Sequence, residues 1–254
     1  MLRFLKNKKD GEEMVLYCAA IPVLIYPLVM HRIGVNRDKK AVLFIDRYEF
    51  SKRTDIDAIH EFKNQGIFDD VVDCKMFVDR KKAESDPTKV YIEHFDILFA
   101  NGPYSITDFN EIYILNDGWD GDINLYFSLK KIEYNWINCA KNYIPSPNTQ
   151  FDWLKKIWEM YHILTPFAEY ANPCILNNSD AIIKELDRCH KKYSIWNLEE
   201  IYENFPDFYL EKIGKCFQVD KLSQNENAVL IVKNSGGMCD GVAFSDLGES
   251  GKVL

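Results

Sequence analysis

Short, continuous apolar runs alternate along the first half of the chain with stretches whose apolar positions recur every three or four residues. MVLYCA (Met14 to Ala19), AVLFI (Ala41 to Ile45), VVDCKMFV (Val71 to Val78), IYIL (Ile112 to Leu115) and YNWIN (Tyr134 to Asn138) have strand length. A run with little polar alternation suits a strand buried on both faces, as in a parallel sheet. Between the runs lie segments with helical spacing. One helix opens near Pro22, and another covers Ile56 to Gln65, with Ile59 and Phe62 inward and Gly66 as its stop. A third follows Ser85, Asp86 and Pro87, its apolar face made of Tyr91, Phe95, Leu98 and Phe99, and ends at Asn101 and Gly102. A fourth runs from about Asp122 to Lys131. Strands alternating with helices predict an α/β, Rossmann-like, mainly parallel sheet with helices on both faces.

The pattern changes at Pro145, Ser146 and Pro147. The reading is a Rossmann-like domain over residues 1–150 and a helical connector over 151–225, with helices at Phe151 to Phe167, Ser179 to His190, Leu198 to Asn204 and Phe208 to Cys216. Trp153, Trp158, Tyr161 and Trp196 read as packing residues. Ala228 to Val232 (AVLIV) is another buried-strand candidate. Residues 226–254 then read as the start of a truncated second domain, since too little chain follows Gly237 for a domain of usual size.

The uncharged stretch Met14 to Met30 has two readings, a membrane anchor or signal segment and a buried strand followed by a buried helix. The second is preferred, because Pro22 and Pro27 interrupt the stretch and Glu12 and Glu13 abut it.

Composition narrows the function classes. A net charge of -8, with no Lys/Arg stripe interleaved with aromatics, argues against a general nucleic-acid binder. Seven cysteines without a C-x-x-C pair argue against a disulfide framework or zinc ribbon and suggest a reducing, cytoplasmic setting. Cys189 and His190 are sequence neighbours, which point apart on a helix and make a poor catalytic pair. The five histidines show no metal-ligand spacing, so no metal is expected. Neither G-x-x-x-x-G-K-[ST] nor G-x-G-x-x-G after the first strand occurs, which removes the usual nucleotide-loop signatures.

Candidate chemistry concentrates in EIYILNDGWDGDINLYFSLKKIEYNWI, Glu111 to Ile137. Asn116, Asp117 and Gly118 break a strand where its carboxyl end would meet a ligand crevice, and Asp117, Asp120 and Asp122 crowd around two glycines before a helix. Each aspartate has a plain role as turn former or helix cap, and a substrate needs only one of them. Asn234 to Met238 (NSGGM) follows the AVLIV run, and backbone N–H groups at Ser235, Gly236 and Gly237 are able to approach a phosphate; glycines more often serve turns.

The opening MVLYCAAIPVLIYPLVM and the Glu111 to Ile137 segment resemble bacterial sialyltransferase-like enzymes of glycosyltransferase family 52, which include lipooligosaccharide sialyltransferases, and related capsular polysialyltransferases. What recurs is a strand, an Asn/Asp loop, a helix ending in Lys-Lys and a strand of the type Tyr-x-x-Ile. The resemblance runs from about Met14 to the helices near Cys216. It implies the amino-terminal, acceptor-side half of a GT-B fold, with a cleft between two Rossmann-like halves and a CMP-sugar donor as substrate rather than a bound cofactor. Within this sequence Asp117 is the candidate general base, with Asp120 or Asp122 as substitutes, Asn116 and Asn138 are candidates to hold the acceptor, and Ser235, Gly236 and Gly237 to meet the donor. The implied partners are a nucleotide-sugar and a surface-glycan acceptor, with a cytoplasmic location; peripheral contact with the inner membrane face and homo-oligomer formation are both compatible with it.

Two departures stand out. In those families an acidic-acidic-glycine motif follows the strand matching Tyr134 to Ile137 and supplies the base, whereas this chain has Asn138, Cys139 and Ala140. An amide cannot accept the proton of a sugar hydroxyl as a carboxylate does. The donor-side His-Pro motif of those families is also absent, so the chain reads as either a fragment or a non-catalytic relative serving as a binding or scaffold domain. A small phosphate-handling enzyme on the same sheet is the third reading.

Overall fold

Every residue of the first strand, β1 (Met14–Ala19), is buried. Met14, Leu16 and Cys18 belong to one core cluster and Val15, Tyr17 and Ala19 to another, so the apolar run is continuous because both faces of the pleat are covered. This is a computed structural model, and it describes residues 13–19, 26–45, 56–74, 87–116, 122–138, 168–176, 180–203 and 206–216. The remaining strands are β2 (Lys40–Ile45), β3 (Asp70–Asp73), β4 (Glu111–Asn116), β5 (Tyr134–Asn138), β6 (Ala171–Leu176) and β7 (Ser194–Trp196). The helices are α1 (Tyr26–Gly34), α2 (Ile56–Asn64), α3 (Pro87–Asn101), α4 (Asp122–Leu129), α5 (Asp180–Arg188), α6 (Leu198–Glu203) and α7 (Asp207–Cys216).

The strands form one sheet in the order β3-β2-β1-β4-β5-β6-β7, and every pairing is parallel. Tyr17 pairs with Leu43 on one side and Tyr113 on the other. Phe95, Leu98 and Phe99 of α3, Ile123, Tyr126 and Phe127 of α4, and Ile182 and Leu186 of α5 cover one face. Leu28 to Met30 and Ile33 of α1, Phe62 of α2 and Cys216 of α7 cover the other, joined by Ile201 of α6. Trp136, Tyr17, Tyr134 and Phe44 are among the largest fully buried side chains. Truncating a buried Trp or Phe to Ala typically costs about 3–5 kcal/mol, so any of them is able to remove much of a domain's margin.

Three helices end on the same hydrogen-bond pattern. After α2, Gly66 (φ 68°) donates to the Lys63 carbonyl and Ile67 to the Phe62 carbonyl. After α4, Lys131 (φ 57°) donates to Ser128 and Ile132 to Phe127; after α5, His190 (φ 55°) donates to Asp187 and Lys191 to Leu186. These are Schellman stops, in which a left-handed residue turns two otherwise orphaned carbonyls onto N–H groups. The Lys-Lys end of α4 is therefore a turn, and the helix stops at Leu129 rather than Lys131.

Residues 171–176 and 194–196, read from the sequence as part of a helical connector, instead add two strands to the sheet. Pro173 disguises the first, because proline lacks the N–H that a strand interior uses. Its carbonyl accepts from Ser194 Oγ at 3.5 Å, so its nitrogen faces the β7 side, where pairing begins only with Cys174 opposite Ser194. The missing donor thus falls just ahead of the β7 ladder. The second strand has only three residues between two helices, too few for a period to show.

The other helices of that stretch lie where the spacing predicts, at Asp180–Arg188, Leu198–Glu203 and Asp207–Cys216, and Trp196 packs against the core. β3 is described only to Asp73, short of Val78, and the expected start of α1 at Pro22, the Phe151 to Phe167 helix and the Ala228 to Val232 strand lie outside the described residues. Met14 to Met30 begins as a central strand and continues into α1 at Tyr26; among the described residues no helix is long and apolar enough to cross a membrane.

Candidate functional site at the carboxyl edge

The two ends of the sheet differ in kind. The amino end is closed by polar groups that satisfy one another. Asn36 Nδ2 donates to the Tyr17 hydroxyl at 2.9 Å, and that hydroxyl lies 3.0 Å from His31 Nδ1. Since the oxygen already accepts from Asn36, its own proton is free to go to Nδ1, which leaves the ring proton on Nε2. Burial, with the nearby Lys39 charge, lowers the His31 pKa to about 3, so the ring is neutral at pH 7. Burial likewise pushes the Tyr17 phenol well above its ordinary range.

Glu111 accepts from the Tyr113 hydroxyl at 2.9 Å and from Lys39 Nζ, which also reaches Glu13 at 3.4 Å. Burial raises the Glu111 pKa, but the hydrogen bonds from Lys39 and Tyr113 outweigh it and the net shift is downward. Arg32 donates to the carbonyls of Ile67 and Asn36, and Asp69 accepts from the Ala41 N–H at 2.8 Å. No sequence signal singles this cluster out. Its members come from β1, α1, the turn after it and β4, and Met14 lies 96 residues from the Asn110 side chain that accepts its N–H.

At the carboxyl end Ala19 of β1 pairs with Leu115 of β4, whose last residue is Asn116. Asn116 pairs with Asn138, the last residue of β5. The chain diverges to opposite sides of the sheet at β1 and β4, and in open parallel sheets ligands bind outside the carboxyl ends at such a switch point.

Asp122 is the first residue of α4, so the aspartate segment joins the end of β4 to the amino end of that helix, where a negative charge is favoured. α4 is fixed against α3: Tyr126 stacks on Phe99 with ring centroids 5.7 Å apart, and its hydroxyl donates to Asp96 at 3.0 Å. Asp117 and Asp120, together with Ser235, Gly236 and Gly237, lie outside the described residues, as do Cys139 and Ala140. Two positions before Asn138, the fully buried Trp136 indole N–H has no hydrogen-bond partner among the described residues. Such a group costs about 1–3 kcal/mol, offset here by burial of a large ring. Among the described residues no cluster of three or more His, Cys, Asp or Glu has metal-binding geometry.

The sheet order defines an α/β protein of Rossmann-like, parallel type, with a topological switch point between β1 and β4. Comparison with family models, with curated proteins and with solved structures returns no match.

Proposed function

We propose that the chain is a sialyltransferase-like glycosyltransferase of bacterial surface-polysaccharide or lipooligosaccharide synthesis, and that its parallel sheet is the acceptor-side half of a GT-B arrangement. The observation that carries the reading is the pairing of Asn116 with Asn138 at the switch-point edge, with the aspartate segment leading from β4 into α4. Asp117 takes the proton of the acceptor hydroxyl, and the freed oxygen pair attacks the anomeric carbon of the CMP-sugar from the side opposite CMP. The glycosidic bond forms as the bond to the CMP phosphate breaks, and CMP leaves with that electron pair. Configuration at the anomeric carbon inverts. Asp120 or Asp122 substitutes if the acceptor sits further along the segment. Asn116 and Asn138 orient the acceptor through their amides, and Ser235, Gly236 and Gly237 meet the donor phosphate.

One observation favours a second reading, a non-catalytic half that binds or scaffolds: the end of β5 carries an amide, Asn138, where the resembled enzymes carry acidic residues. Calorimetry with CMP and CMP-sialic acid, beside product analysis with glycan acceptors, separates the two. Donor binding with sugar transfer supports the enzyme. Glycan binding without donor binding or transfer supports the scaffold, and binding of neither ligand overturns both.

A further inference from the structure

His31 is 2% exposed and lies against three aromatic rings. Trp196 stacks on it with centroids 3.9 Å apart and planes 7° from parallel, Tyr113 leans on it at 4.4 Å, and the Tyr17 hydroxyl meets Nδ1. Trp196 is the last residue of β7, and a single residue, Asn197, separates it from α6, which packs on α1. Among the described residues β7 is a three-residue edge strand whose Ser194 and Ile195 are exposed. Pairing with β6 through Ser194, Ile195 and Trp196, and the contact with α1, therefore attach the segment to the body.

We propose that the Trp196–His31 stack is an acid-sensitive latch: a neutral ring holds β7 and α6 closed on α1, and protonation of His31 releases residues 194–203 before the rest of the sheet opens. The charged and titratable groups around the ring are Tyr17 of β1, Arg32 of α1, Lys39 before β2 and Tyr113 with Glu111 of β4. α6, which packs on α1, carries Glu200 and Glu203 in its sequence. Glu111 is held by Lys39 and Tyr113, so it is already engaged when the ring gains its proton. The Trp196 face attracts an imidazolium, which partly offsets the cost of burying it. Desolvation still dominates, with the closed ring titrating at about 3.

A ring fully opened to water has its ordinary value near 6.5, and because Tyr17, Tyr113 and Lys39 stay beside His31 when 194–203 leaves, that value bounds the shift. The closed segment is therefore fully favoured above it, loses its advantage as pH falls below it, and stops losing near the closed value. Between pH 7 and pH 5 the opening equilibrium rises by up to about 25-fold.

Hydrogen exchange at pH 7 and pH 5, corrected for the intrinsic rate, tests this on peptides covering 194–203 and 41–45. The expected result is a loss of protection over 194–203 that reaches at most about 25-fold, with none over 41–45, and a pH-independent 194–203 in His31→Gln. If that variant does not fold, the His31 ring signals of the unmodified protein replace it, and they should stay neutral at pH 5 in the closed state. An equal loss in His31→Gln, a loss shared by 41–45, no loss at all, or a ring that titrates near 6.5 while protection persists would each overturn the latch. None of these outcomes depends on the glycosyltransferase reading.

Discussion

Tyr17 shows how a polar atom is carried through the middle of a core. Its ring stacks on Tyr113 at 5.3 Å, and its hydroxyl accepts a hydrogen bond from Asn36 while facing His31. Tyr17→Phe keeps the ring but leaves Asn36 and His31 each short of a partner in a buried place. A loss of about 1–3 kcal/mol in urea unfolding is expected, with the m-value unchanged. At the proposed catalytic edge, Asp117→Asn is nearly isosteric and should lower turnover about 100-fold or more, with a smaller change in donor affinity. Unchanged turnover in that variant, with damage from Asp120→Asn or Asp122→Asn, would move the base along the segment. The Asn116 and Asn138 edge positions are legible in the sequence because each ends an apolar run. The Tyr17, Asn36 and His31 cluster is not, since nothing local to any one of them records a partner on another element.

Helix ends carry the clearest expectations at the next scale up. Of the three Schellman stops, α2 uses Gly66, for which the left-handed conformation is free, whereas α4 and α5 place Lys131 and His190 there. Lys131→Gly and His190→Gly should each raise stability by about 0.5–1 kcal/mol, and Gly66→Ala should lower it by about 1–2 kcal/mol. A Cβ at Gly66 would lie 3.8 Å from Lys212 Nζ, an ordinary contact, so the cost is one of backbone and not of crowding. Thermal unfolding of the three variants checks the signs. A drop for Lys131→Gly would mean that its side chain contributes more than the strain it imposes. β1 and β2 are legible because burial on both faces leaves near-continuous apolar runs. β6 and β7 escape notice for opposite reasons, a proline that lies beside an unpaired stretch and a strand too short to show a period.

For the molecule as a whole, the proposal predicts linkage between ligand and stability. A CMP-sugar that binds the folded chain should raise its unfolding free energy by about 2.7 kcal/mol at a hundredfold excess over its dissociation constant. A melting temperature unmoved by CMP or CMP-sialic acid at millimolar concentration would count against a donor site. The alternation of strands and helices makes the α/β class readable from the sequence. Function is less readable, because the chemistry rests on a few polar residues at strand ends, and turn formation explains the same residue types.

β1 lies inside the finished sheet between β2 and β4, and those two neighbours are synthesised at very different times. β2 follows closely, whereas β4 begins only about a hundred residues later, as the 96-residue gap between Met14 and Asn110 records. At about 5–20 residues per second on the ribosome, one flank of β1 stays open for several seconds with its hydrogen-bonding groups unmet. Nascent chains arrested between β3 and β4 should therefore recruit chaperones and aggregate when released. Chains arrested beyond β5, with both flanks of β1 occupied, should lose much of that tendency.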